Sequence, residues 1–72
     1  MSKADRMFDD LGFNMYEFDT YIDYLSRETS HAITFRKDTK KIDSHCGIGS
    51  EYISIKELQA INEKVKELGW NG

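Results

Sequence analysis

YISIKELQAINEKVKELGWNG, residues 52–72, decides how this chain is read. Ser54 begins it as a helix, because its hydroxyl can accept from the free N–H of Glu57 while the Glu57 carboxylate reaches back to the N–H of Ser54. That capping box satisfies donors with no partner inside the helix. Ile53 and Leu58 flank it as a hydrophobic staple. Ile55, Leu58, Ile61, Val65 and Leu68 recur at three- and four-residue steps, which predicts one apolar face turned to a core. Gly69 ends the helix in the left-handed conformation, and Trp70 is expected to fold back on Val65.

The same grammar appears at the other end. Ser2 is a cap with Asp5 three residues on, and Ala4, Met7, Phe8 and Leu11 form a stripe. Leu11-Gly12-Phe13 repeats the stop of Leu68-Gly69-Trp70, with Phe13 expected to pack back on Phe8.

The residues between read as strands. Phe13 to Phe18 is aromatic-rich, Tyr21 to Arg27 is a second candidate, and His31 to Arg36 alternates with Ile33 and Phe35 on one side. Lys37-Asp38-Thr39-Lys40 is a polar turn leading into Lys41 to Cys46. With Asp38-Thr39 at the tip, Arg36 faces Lys41, Phe35 faces Ile42, Ile33 faces Ser44 and His31 faces Cys46. This register keeps Phe35 and Ile42 on one face, and a one-residue slip would expose one of them. The fold class that follows is α+β, with an N-terminal helix, an antiparallel sheet of three to four strands and a C-terminal helix. Both apolar stripes need a surface to cover, so both helices are placed on one face of the sheet. The other face is left for water or a partner.

The 72 residues suffice for a single domain, 1–72. A domain of this size buries only about 60% of the surface its chain would expose. The single cysteine, Cys46, offers no disulfide framework and suits a reducing cytoplasm. The first residues, MSKADRMFDD, are charged and amphipathic, unlike a signal peptide, and no stretch is long and apolar enough to predict a membrane span. The net charge of −3 argues against general nucleic-acid binding as the main activity. The acids are concentrated early: Asp5, Asp9, Asp10, Glu17, Asp19, Asp23 and Glu28 stand against Lys3, Arg6 and Arg27 in residues 1–30.

No motif for a cofactor is present, and none is expected. His31, His45 and Cys46 are the soft ligands, and a structural zinc site needs four convergent ones. His31 with Cys46 could form a nucleophile pair, but such a pair needs an orienting group and an oxyanion site that the sequence does not mark. Gly47-Ile48-Gly49 precedes a helix start but lacks the further residues of a dinucleotide fingerprint or P-loop. The chain is therefore expected not to be an enzyme.

Two binding sets remain. Tyr16, Tyr21 and Tyr24, in a stretch with more aromatics than one face of a small sheet absorbs, are candidates for a protein partner. Arg36, Lys37, Lys40 and Lys41 cluster at one hairpin and are candidates for nucleic acid, a less favoured partner.

The two ends, ADRMFDDLGF at 4–13 and YISIKELQAINEKVKELGW at 52–70, resemble a group of small uncharacterised proteins encoded by phages, prophages and mobile elements of low-GC Gram-positive bacteria. In that group a short "MF-E/D-LGF" helix precedes a variable middle and a closing "ELQAIN…ELGW" helix. The resemblance implies a bacterial or phage accessory protein in the cytoplasm; small size, the lack of a site, the surplus aromatics and the acidic N-terminal half lead to the expectation that it binds a host or phage protein. The group carries no assigned activity, so it brings no site residues with it.

Overall fold

The computed structural model describes residues 2–45 and 53–70. Its elements run α1 (Lys3–Asp10), β1 (Phe13–Glu17), β2 (Tyr21–Ser26), β3 (Ala32–Arg36), β4 (Lys41–His45) and α2 (Ile55–Glu67). The four strands form an antiparallel meander in the order β1-β2-β3-β4. Both helices lie over one face of it, and the fold is α+β as expected.

Both helix starts and stops follow the sequence grammar. The Ser2 hydroxyl accepts from the N–H of Asp5 at 3.1 Å. At α2 the capping box is complete, with Glu57 N–H to Ser54 Oγ at 3.1 Å and Ser54 N–H to Glu57 Oε2 at 2.9 Å. Gly12 and Gly69 follow the two helices with φ of +91° and +74°. That conformation suits a residue without Cβ. Beyond Gly69 the Trp70 N–H donates to Val65 O at 3.0 Å, and the half-buried indole lies 6.2 Å from the Phe35 ring. Phe13 packs back on Phe8 with ring centroids 5.8 Å apart.

The register of the β3–β4 hairpin is the one expected: Arg36 faces Lys41, Phe35 faces Ile42 and Ile33 faces Ser44. The expected His31–Cys46 pair and the Cys46–Ser50 loop lie outside the described residues. The β1–β2 hairpin turns through Asp19-Thr20, where Phe18 N–H donates to Tyr21 O at 2.8 Å. This turn fixes the faces. Met15, Tyr24 and Ile33 align across three strands, as do Glu17, Ile22, Phe35 and Ile42, and these rows face the helices. Phe8, Phe13, Ile22, Tyr24, Ile33, Phe35, Ala60 and Ile61 form one apolar cluster from α1, the sheet and α2.

α2 keeps the later half of the expected apolar face, with Ile61 in the core and Val65 and Leu68 packed against it, and departs from it in the first half. Its buried residues are Ala60, Ile61 and Lys64, whereas Ile55 is 71% exposed and Leu58 45% exposed. The helix is turned so that Glu57 and Lys64 face inward, because each finds a partner there. Lys64 Nζ donates to Asp5 Oδ1 at 3.2 Å, and Asp5 Oδ1 also accepts from the Tyr24 hydroxyl at 2.6 Å. Ala4 N–H donates to Glu67 Oε2 at 2.9 Å. A polar network thus ties α1, β2 and α2 together. Burial alone would raise the Asp5 pKa, but the hydrogen bonds from Tyr24 and Lys64, with the lysine's charge, outweigh it and hold Asp5 below its ordinary value. Burial, then the bond to Asp5, pushes the Tyr24 phenol well above its ordinary range.

Candidate functional site

The sheet's uncovered face is built by the alternate residues of each strand. Tyr16 of β1, Tyr21, Asp23 and Leu25 of β2, Thr34 and Arg36 of β3, and Asp43 of β4 belong to it. Tyr16 is 46% exposed and Phe18 47%. Phe18 stacks on Tyr21 with centroids 4.6 Å apart and planes at 24°. Tyr16, Phe18, Tyr21 and Leu25 therefore give the β1–β2 end of the open face an apolar surface. The acids of this face are engaged further in: Asp23 accepts from Thr34 Oγ1 at 2.6 Å and Asp43 from Arg36 Nε at 2.6 Å.

Of the three tyrosines expected to share a partner surface, the structure brings Tyr16 and Tyr21 together and removes Tyr24. Tyr24 is fully buried on the helix side, stacked on Phe8 at 3.9 Å. The reason is strand alternation: Tyr24 shares its face with Ile22, and pairing with Ile33 fixes that face inward. Phe18, which carries more exposed ring than Tyr21, belongs to the surface instead. Its place two residues past Tyr16, before a two-residue turn, is the sequence signal for it.

The four basic residues of the β3–β4 hairpin do not form an unpaired cluster. Arg36 is bound by Asp43, whose hydrogen bond and charge raise the guanidinium pKa above its ordinary value. Lys37 Nζ lies 2.9 Å from Glu17 Oε2 and also donates to Phe18 O at 2.9 Å. Lys40 and Lys41 are exposed and make no ion pair among the described residues.

A second constellation joins β3, β4 and α2. His31 Nδ1 lies 3.0 Å from Glu57 Oε1, and His31 Nε2 lies 2.9 Å from Ser44 Oγ. The histidine and glutamate side chains are only 11% and 13% exposed, while Ser44 is open to solvent. A carboxylate can only accept, so Nδ1 carries a proton toward Glu57, and in a neutral ring of that tautomer Nε2 is left to accept from the serine hydroxyl. Glu57 is held in turn by its capping bond to Ser54. The sequence marked His31 but paired it with Cys46, which lies outside the described residues. His45 points to the opposite face from His31, as expected. Among the described residues no group of three or more His, Cys, Asp or Glu is placed to hold a metal. No helix among them is long and apolar enough to cross a membrane.

Fold and surface together define a small α+β domain with a four-stranded meander, two helices on one face and aromatics on the other. Comparison with protein-family models, with curated proteins and with solved structures finds no match for this chain.

Proposed function

We propose that the chain is a protein-interaction module encoded by a phage or mobile element and acting in the cytoplasm of a bacterial host. The observation that carries this reading is the exposed aromatic group on the open sheet face, Tyr16, Phe18 and Tyr21 with Leu25 beside it. Aromatic side chains offer large contact area at small entropic cost, and they are enriched at protein interfaces over the rest of the surface. Among the described residues β1 is an edge strand with no further strand beside it. Phe18 and Tyr21 are a hydrogen-bonded pair, so by alternation Met15 and Glu17 turn their backbone N–H and C=O outward. A partner strand laid there would meet Met15, 41% exposed, and the aromatic group at once. Asp19 at the turn and Asp23 on the face favour a partner with basic residues among its apolar ones.

The test is a pull-down from lysate of a low-GC Gram-positive host, with the tagged chain and its Tyr16→Ser/Tyr21→Ser variant, each with and without nuclease. A defined protein retained by the native chain through nuclease and lost from the variant supports the reading. A protein retained equally by both overturns it. Recovery that nuclease abolishes moves the function to Lys40 and Lys41 of the basic hairpin, a weaker site because Arg36 and Lys37 are already paired.

A further inference from the structure

The Ser44–His31–Glu57 array has an order that packing alone does not require. A hydroxyl lies 2.9 Å from one nitrogen of an imidazole, and a carboxylate lies 3.0 Å from the other. A base thus reaches the hydroxyl proton, and a third group orients the base. The three residues come from β4, the segment before β3, and the first turn of α2. Only the hydroxyl end is open to solvent.

A fourth part comes from the backbone. Ser26 N–H donates to His31 O at 2.9 Å, so residues 31, 33 and 35 bond toward β2. Residues 32, 34 and 36 then bond toward β4, engaging His45, Asp43 and Lys41. Among the described residues no strand lies on the outer side of β4, and Ile42 and Ser44 turn their N–H groups to that edge. The serine therefore carries its own outward N–H, one donor for an oxygen that becomes negative beside it. Ile42, on the same face two residues before Ser44, and Leu58, next to Glu57, are 37% and 45% exposed. Ile42 sets an apolar side chain on the same face of β4 as the hydroxyl.

We propose that Ser44 is an activated nucleophile for carboxylic esters with apolar acyl groups, independently of the aromatic face. Ser44 Oγ bonds to the acyl carbon as its proton passes to His31 Nε2, and the carbonyl electron pair moves onto oxygen, facing the Ser44 N–H. Collapse of that intermediate breaks the bond to the leaving alcohol, which takes the proton back from His31. The Ser44 ester is then hydrolysed by water that His31 deprotonates, and the serine regains its proton. Ester and water give acid and alcohol, and no other reactant is needed. Ser44 and His31 are the catalytic residues. Glu57 is a positioning residue, because it acts through His31.

The test uses the full chain with a fluorophosphonate probe, followed by mass mapping of the adduct, and with 4-nitrophenyl butyrate as ester. One probe per chain is expected on Ser44, with Ser2, Ser26, Ser30, Ser50 and Ser54 of the same molecule serving as internal references. Ser44→Ala, at an exposed strand position that leaves the fold intact, is expected to abolish both labelling and hydrolysis above background. His31→Gln is expected to lower both by about 100-fold or more. Glu57→Gln keeps the capping box, since glutamine serves at that position. It is expected to slow labelling and to displace its pH profile, a change that a merely structural residue does not produce. A label spread over the serines, or hydrolysis equal in the native chain and Ser44→Ala, overturns the proposal.

Discussion

Replacing Tyr24 by Phe removes one oxygen atom from the centre of the molecule. The ring keeps its stack on Phe8 at 3.9 Å and its edge contact with Phe35. What is lost is the 2.6 Å hydrogen bond to Asp5 Oδ1. Bonds to charged acceptors contribute roughly 1.5–3 kcal/mol. Asp5 keeps Lys64 at 3.2 Å, so the loss belongs at the low end, about 1.5–2 kcal/mol. A domain of this length is stable by roughly 4–11 kcal/mol on the usual per-residue scale, so the variant folds and can be measured. The midpoint of thermal unfolding should fall by about 6–16 °C.

The pH dependence supplies a second, independent readout. Asp5 is held below its ordinary 3.8 in the folded state, so the folded chain binds fewer protons there than the unfolded chain. Its contribution is complete above 3.8 and is lost as pH falls through the lowered value. Tyr24 is raised above its ordinary 10.0, so its contribution is complete below 10.0 and is lost as pH rises beyond it. Urea unfolding followed by Trp70 fluorescence across pH 2–11 should show Tyr24→Phe with a shallower fall on both limbs. A variant within about 0.5 kcal/mol of the native chain, with both limbs unchanged, refutes the claim that this bond holds α1 to the sheet.

Three further expectations rest on single features and are checked by the same unfolding measurements. Gly69→Ala should cost about 1 kcal/mol: no atom lies within 4 Å of an added Cβ, so the cost comes from φ of +74° alone. Lys40→Gly should do the reverse and stabilise by about 0.5–1 kcal/mol, because Lys40 sits at φ of 56° in the hairpin turn. Ile61→Ala should cost about 2–5 kcal/mol and Ile55→Ala less than about 0.5, since Ile61 is 5% exposed and Ile55 71%; equal effects would mean that α2 presents its apolar stripe to the sheet after all.

The order of elements, both helix boundaries and the β3–β4 register were legible because each rests on local chemistry. A capping box, a glycine at a helix end and an alternating strand are set by neighbours a few residues apart. The face assignments of α2 and β2 were not legible from the same patterns. Ile55, Leu58, Ile61, Val65 and Leu68 form a good stripe by spacing, yet its first half is exposed. What turned the helix is a pair of charged residues that hydropathy assigns to the surface. Glu57 and Lys64 are seven positions apart, two helical turns, and so share a face. They meet His31 and Asp5, partners 26 and 59 positions away in the chain, which no local rule connects.

The same physics links the two candidate sites. Turning Glu57 inward is what brings a carboxylate to His31, and it is also what leaves Leu58 exposed one residue on. The turned helix thus orients the histidine that faces Ser44. Strand alternation sends Tyr24 inward, Asp5 satisfies its hydroxyl there, and the open face is defined by Tyr16, Phe18 and Tyr21. Buried polar groups stay buried only where their bonds are met. Three side chains whose polar atoms pattern alone sends to the surface, Glu57, Lys64 and Tyr24, therefore set which apolar residues remain outside and available to a ligand.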